Sequence, residues 1–140
     1  MVFAPYDADS IGIFDPETRL FSSLDISGSI ESDAKYAGAV ATSGGEVVFA
    51  PFNAEGVGVF DAATEAFTTV DISGSAARAR EVVGCAVASR GLVGFAPFEA
   101  EGVGMFDAAS RAFSMVVVSS ALSPGLGWAG VAAVGGGRVI

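Results

Sequence analysis

The chain repeats itself at a constant offset of 46 residues, and the alignment of its segments needs no gap. The motif Val-Phe-Ala-Pro occurs at residues 2–5 and 48–51, and it recurs at residues 94–97 with Gly94 in place of the valine. Self-similarity at a fixed period is the signature of repeat architectures, in which every unit meets the same structural demand. The 140 residues therefore predict a single domain of three units, at residues 2–47, 48–93 and 94–139.

The phenylalanines obey the same period. Nine of the 11 form three complete sets with one member per unit: Phe3, Phe49 and Phe95; Phe14, Phe60 and Phe106; Phe21, Phe67 and Phe113. An aromatic stripe can serve as a ligand platform, but large aromatic side chains that recur in every unit are expected to pack in the core.

Within a unit the pattern is that of β-strands. In the second unit, short apolar runs at residues 46–51, 56–61, 66–72 and 82–88 are separated by turn-forming residues. Runs of this length between turn signals, without helical spacing of the apolar residues, favour strands. We expect an all-β fold with four strands in each unit.

Four strands in about 40–50 residues, repeated along a chain, are typical of β-propeller blades. The fourth run consists of small residues, such as Ala37, Gly38 and Ala39. Small side chains suit the crowded channel of a propeller, so we expect this run to be strand A, the innermost. The runs that carry Phe3, Phe14 and Phe21 are then strands B, C and D.

The residues 45–54 (GEVVFAPFNA) and 58–64 (GVFDAAT) resemble propeller repeats of the kelch and YVTN type, in which an apolar strand pair ends in an Asp-x-x-Thr turn. The resemblance extends over the whole chain and implies a propeller. It departs from kelch repeats because the glycine doublets at 44–45 and 136–137 precede strand B. Streptogramin-inactivating lyases are similar in their repeats but use a catalytic histidine. This chain has no histidine, so the resemblance does not imply their activity.

Propellers contain about four to eight blades, so three blades alone would leave open sheets. Six is the only multiple of three in that range. We therefore expect a six-bladed, head-to-tail homodimer, in which the N-terminal strand at residues 1–5 pairs with strand A of the partner at residues 128–134. Two alternatives are a piece of a longer propeller and a β-solenoid.

The composition excludes several function classes. A net charge of -9 argues against nucleic acids and anionic membranes as partners. The absence of histidine excludes histidine-based catalysis, and a single cysteine excludes an internal disulfide. The N-terminus does not read as a secretory signal, and the uncharged residues 112–137 are too interrupted by serine, proline and glycine to predict a membrane span. The compartment stays open.

The candidate ligand residues lie in the loops on one face of the expected propeller, around the channel mouth. The B–C loops contribute Asp7, Asp9, Asn53, Glu55, Glu99 and Glu101, and the D–A loops contribute Arg78, Arg80 and, at the start of the last strand A, Trp128. The carboxylates would attract a cation, an amine or a basic peptide, and their oxygens suit Ca²⁺ or Mg²⁺. The alternative is that they cap turns and face solvent. Similarly, the arginines would bind an anion or balance nearby acids, and Trp128 would stack on a ligand or pack.

Two function classes remain. The first, which we favour, is a non-catalytic scaffold that binds a small molecule, peptide or protein at the acidic loop face and needs no cofactor. The second is a propeller hydrolase or lyase that uses the loop carboxylates, with or without a Ca²⁺ or Mg²⁺ ion. The scaffold is favoured because an enzyme would need one particular pair of carboxylates, and the sequence does not single out such a pair from the loop carboxylates that recur in the units.

Overall fold

The computed structural model describes residues 1–74, 82–87, 91–118, 127–128, 130–134 and 138–139. The regular structure in these ranges is β-strand, and no helix in them is long and apolar enough to cross a membrane. The strands are β1 (Val2–Phe3), β2 (Ser10–Asp15), β3 (Leu20–Asp25), β4 (Tyr36–Ala41), β5 (Glu46–Pro51), β6 (Gly56–Asp61), β7 (Ala66–Asp71), β8 (Val82–Val87), β9 (Leu92–Pro97), β10 (Gly102–Asp107), β11 (Ala112–Val117), β12 (Ala133–Val134) and β13 (Arg138–Val139).

The strands form three antiparallel sheets and one short ladder. The first sheet has the order β1-β2-β3, the second β4-β5-β6-β7 and the third β8-β9-β10-β11, while β12 pairs with β13. Strands that follow one another in the chain are neighbours in each sheet, as short connections favour. The all-β prediction is confirmed, and the predicted order A-B-C-D is the order observed in the second and third sheets.

The ends of the chain depart from the four-stranded expectation. The first sheet has three strands, because no strand of the described residues pairs with the inner edge of β1, where strand A would lie. The sequence also predicted that the last strand A would lack a partner in its own chain. Instead Ala133 pairs with Val139, in the same relative positions as Ala41 and Val47 of the second sheet. The residues after strand A thus begin a strand B of their own.

Phenylalanines stand directly opposite each other across the C–D hairpin of every sheet. The pairs in register are Phe14 with Phe21, Phe60 with Phe67, and Phe106 with Phe113. Such cross-strand aromatic pairs stabilise antiparallel ladders and oppose a slip in register.

An aspartate at the end of each C strand closes the hairpin, as the sequence predicts. Asp61 Oδ1 accepts hydrogen bonds from the backbone N–H groups of Ala63 (2.8 Å) and Thr64 (3.1 Å). Asp15 and Asp107 receive equivalent backbone hydrogen bonds in the other two hairpins. The last turn residue has a positive φ in all three, at Arg19 (60°), Glu65 (55°) and Arg111 (58°).

The core fills the two spaces between successive sheets. Phe49 and Val48 are neighbours in β5, are both fully buried, and point to opposite sides of the second sheet. Phe49 packs with Ile11 of the first sheet, whereas Val48 packs with Phe95 of the third. We call the side of a sheet that carries the phenylalanines its phenylalanine face and the opposite side its aliphatic face. Each space is therefore an aliphatic face packed against the phenylalanine face of the next sheet.

Candidate functional site

The segment between the first and second sheets, residues 26–35, crosses the loop end of both sheets. We call it the bridging segment. The Lys35 N–H donates to the Tyr6 carbonyl oxygen (2.7 Å), and the Phe52 N–H donates to the Lys35 carbonyl oxygen (2.8 Å). The Ala34 N–H donates to Asp7 Oδ1 (3.0 Å). The D–A and B–C connections therefore meet on one face, as the sequence analysis expected.

Lys35 is buried in this junction and adds a positive charge to it. Its side chain is 1% exposed, and Nζ donates to Asp9 Oδ1 at 3.1 Å, while Asp9 itself is 74% exposed. The equivalent residues of the other units are Glu81 and Gly127, so Lys35 is not part of the repeat. Sequence reasoning missed this cation, although the broken repeat at this position is a signal that marks it. The acidic pair Asp7 and Asp9 is thus partly neutralised from within the chain.

A cavity of about 520 Å³ opens beside this junction, under the bridging segment. Its wall consists of residues 29–32 of the bridging segment, Tyr36 at the start of β4, residues 53–56 of the loop before β6, and Thr69 and Asp71 of β7. Two sequence-predicted candidates, Asn53 and Glu55, are among them. The Asn53 side-chain amide donates to the Asp33 carbonyl oxygen (2.9 Å), which ties the loop to the bridging segment.

Tyr36, one of the residues that line the cavity, has a buried hydroxyl. The residue is 0% exposed, and its hydroxyl has no hydrogen-bond partner within the described residues. The Ser32 hydroxyl, also in the cavity wall, is likewise unpartnered there. Burial raises the pKa of Tyr36, so the phenol stays protonated at neutral pH and offers both a donor and an acceptor. Buried polar groups normally have partners, so two such hydroxyls in one cavity indicate a place where a polar ligand would be held.

The charged residues among the described part of the cavity wall are all negative. They are Glu31, Glu55 and Asp71, and no lysine or arginine of the described residues lines it. The backbone N–H of Ser73 donates to Asp71 Oδ1 (2.8 Å). This hydrogen bond, with a second from the Ser73 hydroxyl, lowers the pKa of Asp71 and keeps it ionised at neutral pH. An arrangement of carboxylates around neutral hydroxyls favours cationic over anionic ligands.

The polar lining of this space between sheets is not repeated in the next one. At the places of Thr69 and Asp71, the first unit has Ser23 and Asp25, but the third unit has Met115 and Val117. Met115 packs against the apolar cluster between the second and third sheets. Since that junction is filled with apolar side chains, the repeat architecture does not itself require a polar cavity between sheets.

The other sequence-predicted residues are not brought into the cavity. Glu99 and Glu101 are exposed in the loop before β10. Trp128 is 51% exposed, and its backbone N–H donates to the Pro97 carbonyl oxygen (2.8 Å). The predictions for Arg78 and Arg80 lie outside the described residues. In the described ranges, no three acidic or cysteine side chains come together closely enough to hold a metal ion.

Nine of the eleven described residues that line the cavity were not among the predicted site residues, and the polar ones are Ser29, Glu31, Ser32, Tyr36, Thr69 and Asp71. Their sequence signal is a difference between units. Tyr36 aligns with Val82 and Trp128, whereas Thr69 and Asp71 align with Ser23 and Asp25 in the first unit and with Met115 and Val117 in the third. A comparison of the units for differences, rather than for shared positions, is the search that finds them.

No family model matches the chain, and no curated protein does either. Solved structures are similar in fold. A virginiamycin B lyase from Staphylococcus aureus superposes on 99% of this chain with a TM-score of 0.80 and 13% sequence identity. The extracellular domain of a one component system from B. thetaiotaomicron superposes on 81% with a TM-score of 0.64 and 11% identity. That of a hybrid two component system from the same organism superposes on 84%, with a TM-score of 0.52 and 16% identity.

At these identities the likeness concerns the fold. It supports a β-propeller-like architecture, in agreement with the antiparallel sheets described above. The chain spans 43% of the length of the lyase and 14% and 18% of the lengths of the two extracellular domains.

Proposed function

We propose that this protein is a non-catalytic propeller-type binding protein whose ligand is a compact aliphatic amine, held in the cavity under the bridging segment. The observation that carries the proposal is the buried, unpartnered hydroxyl of Tyr36, a residue of a cavity whose described lining has three carboxylates and no cation. The proposal places the ligand on the acidic loop face, where the sequence analysis expected it.

The size and chemistry of the cavity support a small ligand. Ligand cavities in proteins measure about 300–1,000 Å³, a range that includes this one. An ammonium group would replace solvent around Glu31, Glu55 and Asp71 with charge-assisted hydrogen bonds. A second polar group of the ligand would satisfy the hydroxyls of Tyr36 and Ser32, which otherwise carry the cost of burial without a partner.

Binding is favoured over catalysis because the pKa shifts in the cavity point away from neutral pH. A general acid or base works best with a pKa near the working pH. Burial raises the pKa of Tyr36 above its ordinary value of 10.0, and hydrogen bonds lower that of Asp71 below 3.8. Both groups therefore keep one protonation state throughout the neutral range, which suits recognition. The fold likeness to a lyase, at 13% identity, carries no activity to this chain.

The test is a titration of the ¹⁵N-labelled protein with 1,4-diaminobutane, followed by NMR, with succinate as a probe of equal chain length and opposite charge. We expect the diamine to shift the amide signals of residues 29–32 and 53–56, and succinate to leave them unchanged. Tyr36→Phe removes one hydroxyl and should weaken diamine binding about three- to tenfold, the usual worth of one hydrogen bond.

Tyr6→Phe is the matched control, since Tyr6 is the only other tyrosine and is 46% exposed. It should bind the diamine like the unmodified protein. The proposal fails if the diamine shifts no signal in the cavity, if succinate shifts the same signals, or if the two tyrosine variants bind alike.

A further inference from the structure

In the described part of the chain, two sheet faces carry exposed large apolar side chains: the phenylalanine face of the first sheet, at Phe3 and Phe21, and the outer part of the aliphatic face of the third, at Val116. The inner part of the latter face is covered, since Ala96 is 4% exposed. Both spaces inside the chain pair one face of each kind. We propose that these two faces bind each other between two copies of this chain, and that the partner's Trp128 completes the first sheet.

The phenylalanine face of the first sheet is a core surface left open. Phe3 is 50% exposed, whereas its repeat equivalents Phe49 and Phe95 are both 0% exposed. Phe21, which contacts Phe3 with ring centroids 6.3 Å apart, is 65% exposed. The same ring pair in the third sheet, Phe95 and Phe113, lies 6.0 Å apart inside the apolar cluster between two sheets. The open phenylalanine face of the first sheet therefore has the same arrangement of rings as the buried phenylalanine face of the third sheet.

The aliphatic face of the third sheet is its complement. Val116 is 52% exposed, whereas its equivalent in the second sheet, Val70, packs against the cluster that contains Phe95 and Phe106. An exposed apolar face rimmed by charged loops marks an interaction surface. Inside this chain, each covered aliphatic face packs against a phenylalanine face. The open phenylalanine face of a second copy therefore matches the exposed aliphatic surface of the third sheet.

Among the described strands, none lies beside β1 in the place that β4 has beside β5 in the second sheet. There β4 pairs with β5 in a register that places Val40 opposite Val48. The pairing of Ala133 with Val139 follows the same register at the other end of the chain. If strand A of the partner pairs with β1 in this register, Ala132 of the partner subunit lies opposite Val2. In this assembly β1 takes the place beside β12 that the two-residue strand β13 occupies.

The backbone of Trp128 is held by the same hydrogen bond as the backbone of Tyr36, its equivalent in the second sheet. Its backbone N–H donates to the Pro97 carbonyl oxygen (2.8 Å), as the Tyr36 N–H donates to that of Pro5 (3.3 Å). The Tyr36 ring in turn covers Gly58 of its own sheet. By the same relation, the partner's Trp128 covers Gly12, the glycine equivalent to Gly58.

In the single chain, the ring of Phe21 occupies the space over Gly12. A β-carbon at Gly12 would lie 3.0 Å from Phe21 Cζ. In the second sheet the equivalent ring, Phe67, stands aside from the glycine and meets the Tyr36 ring edge-on at 6.2 Å. Phe21 is 65% exposed and can move to that position when the partner's Trp128 enters.

Two copies joined in this way close a ring of six sheets about a two-fold axis, and no face of either kind stays open. The cavity under the bridging segment lies wholly within one chain. The assembly is thus independent of the proposed function, and either can fail without the other.

The test is the solution mass of the full chain by light scattering, with two variants of adjacent, similarly exposed residues. Phe21 (65% exposed) points to the open face, whereas Leu20 (69% exposed) points to the opposite side. We expect twice the chain mass of 14.0 kDa for the unmodified protein and for Leu20→Glu, and 14.0 kDa for Phe21→Glu. Trp128 is the only tryptophan, so its emission should shift to longer wavelength in Phe21→Glu alone.

The register is tested by cross-linking in a Cys85→Ala background. A mixture of Val2→Cys and Ala132→Cys chains should form an intermolecular disulfide on air oxidation, and neither variant alone should do so. A single-chain mass for the unmodified protein, a series of masses above two chains, equal effects of the two glutamate variants, or a cross-link in either variant alone would overturn the proposal.

Discussion

The ring of Tyr36 lies directly against the bare backbone of Gly58, so closely that a β-carbon at position 58 would stand 2.8 Å from Tyr36 Cζ. Phe49 limits the same space, at 3.1 Å from that position. Glycine is therefore needed in the middle of β6 for a packing reason.

Gly58→Ala should lower the free energy of unfolding by about 1–3 kcal/mol, the usual cost of overpacking a core. Urea unfolding followed by circular dichroism measures it. Gly28→Ala is the control, because a β-carbon at Gly28 meets nothing within 4 Å. Its effect should stay within about 0.5 kcal/mol, as for other surface substitutions. Equal stability of the two variants would contradict the close contact.

The ion pair of Lys35 and Asp9 should be worth more than an ordinary surface pair, because Lys35 is 1% exposed. Asp9→Asn removes the charge partner of a buried ammonium group while preserving the shape of the loop. Since Asp9 is itself 74% exposed, solvent near the loop reduces the cost, and we expect a loss of about 1–2 kcal/mol.

Glu101→Gln is the matched control for Asp9→Asn. Glu101 occupies the equivalent place in the third unit, is exposed, and forms no ion pair in the ranges that the structure describes. Its loss should leave the urea midpoint unchanged. If both variants unfold at the same urea concentration, Lys35 does not depend on Asp9.

The hairpin aspartates predict a loss of stability in acid. In the folded protein the backbone N–H groups of Thr64 and Ala63 hold the pKa of Asp61 below its ordinary 3.8. The pKa values of Asp15, Asp25, Asp71 and Asp107 are lowered in the same way. The unfolded chain therefore takes up protons first as the pH falls, and unfolding becomes easier. The stabilisation is present above pH 3.8 and is lost as the pH passes through the lowered folded values.

Urea midpoints measured from about pH 6 to about pH 2.5 should fall with the pH in this window. Asp61→Asn retains an oxygen that can accept the turn hydrogen bonds but cannot titrate. Its midpoint should be lower at neutral pH and should fall less on acidification. A midpoint with the same acid dependence as that of the unmodified protein would show that Asp61 contributes nothing to it.

The sheets, their strand order and the shared loop face were predictable because each depends on residues that recur. Phe49, for example, sits in a pattern stated three times, so its burial follows from the repeat. Lys35 and Tyr36 show where this reasoning ends. Lys35 has no basic equivalent in the other units, and Tyr36 shares an aromatic residue only with Trp128 of the third unit. Their surroundings come from two sheets and the bridging segment, which only the three-dimensional arrangement brings together. The cavity consequently escaped a search for shared positions.

The turns show a second limit. The aspartate that begins each C–D turn corresponds to that of the Asp-x-x-Thr turn in the propeller repeats that the chain resembles, and its carboxylate caps the following N–H groups. The left-handed conformation of Arg19, Glu65 and Arg111 was not predicted, because arginine and glutamate have no preference for it. Closure of the hairpin, rather than the side chain, imposes this backbone at all three positions.

The left-handed position provides the last prediction. Glu65 has φ 55°, a region that costs an L-residue about 1–2 kcal/mol and costs glycine almost nothing. Valine is worse still because its branched side chain crowds the backbone there. Glu65→Gly should therefore be at least about 1 kcal/mol more stable to urea than Glu65→Val. Glu65 is preferred over Arg111 for this test because Arg111 pairs with Glu46 of the second sheet. The same two substitutions at Ala63, which has no positive φ, are the control and should differ much less. A similar difference at both positions would mean that side-chain propensity, and not the left-handed backbone, sets the order.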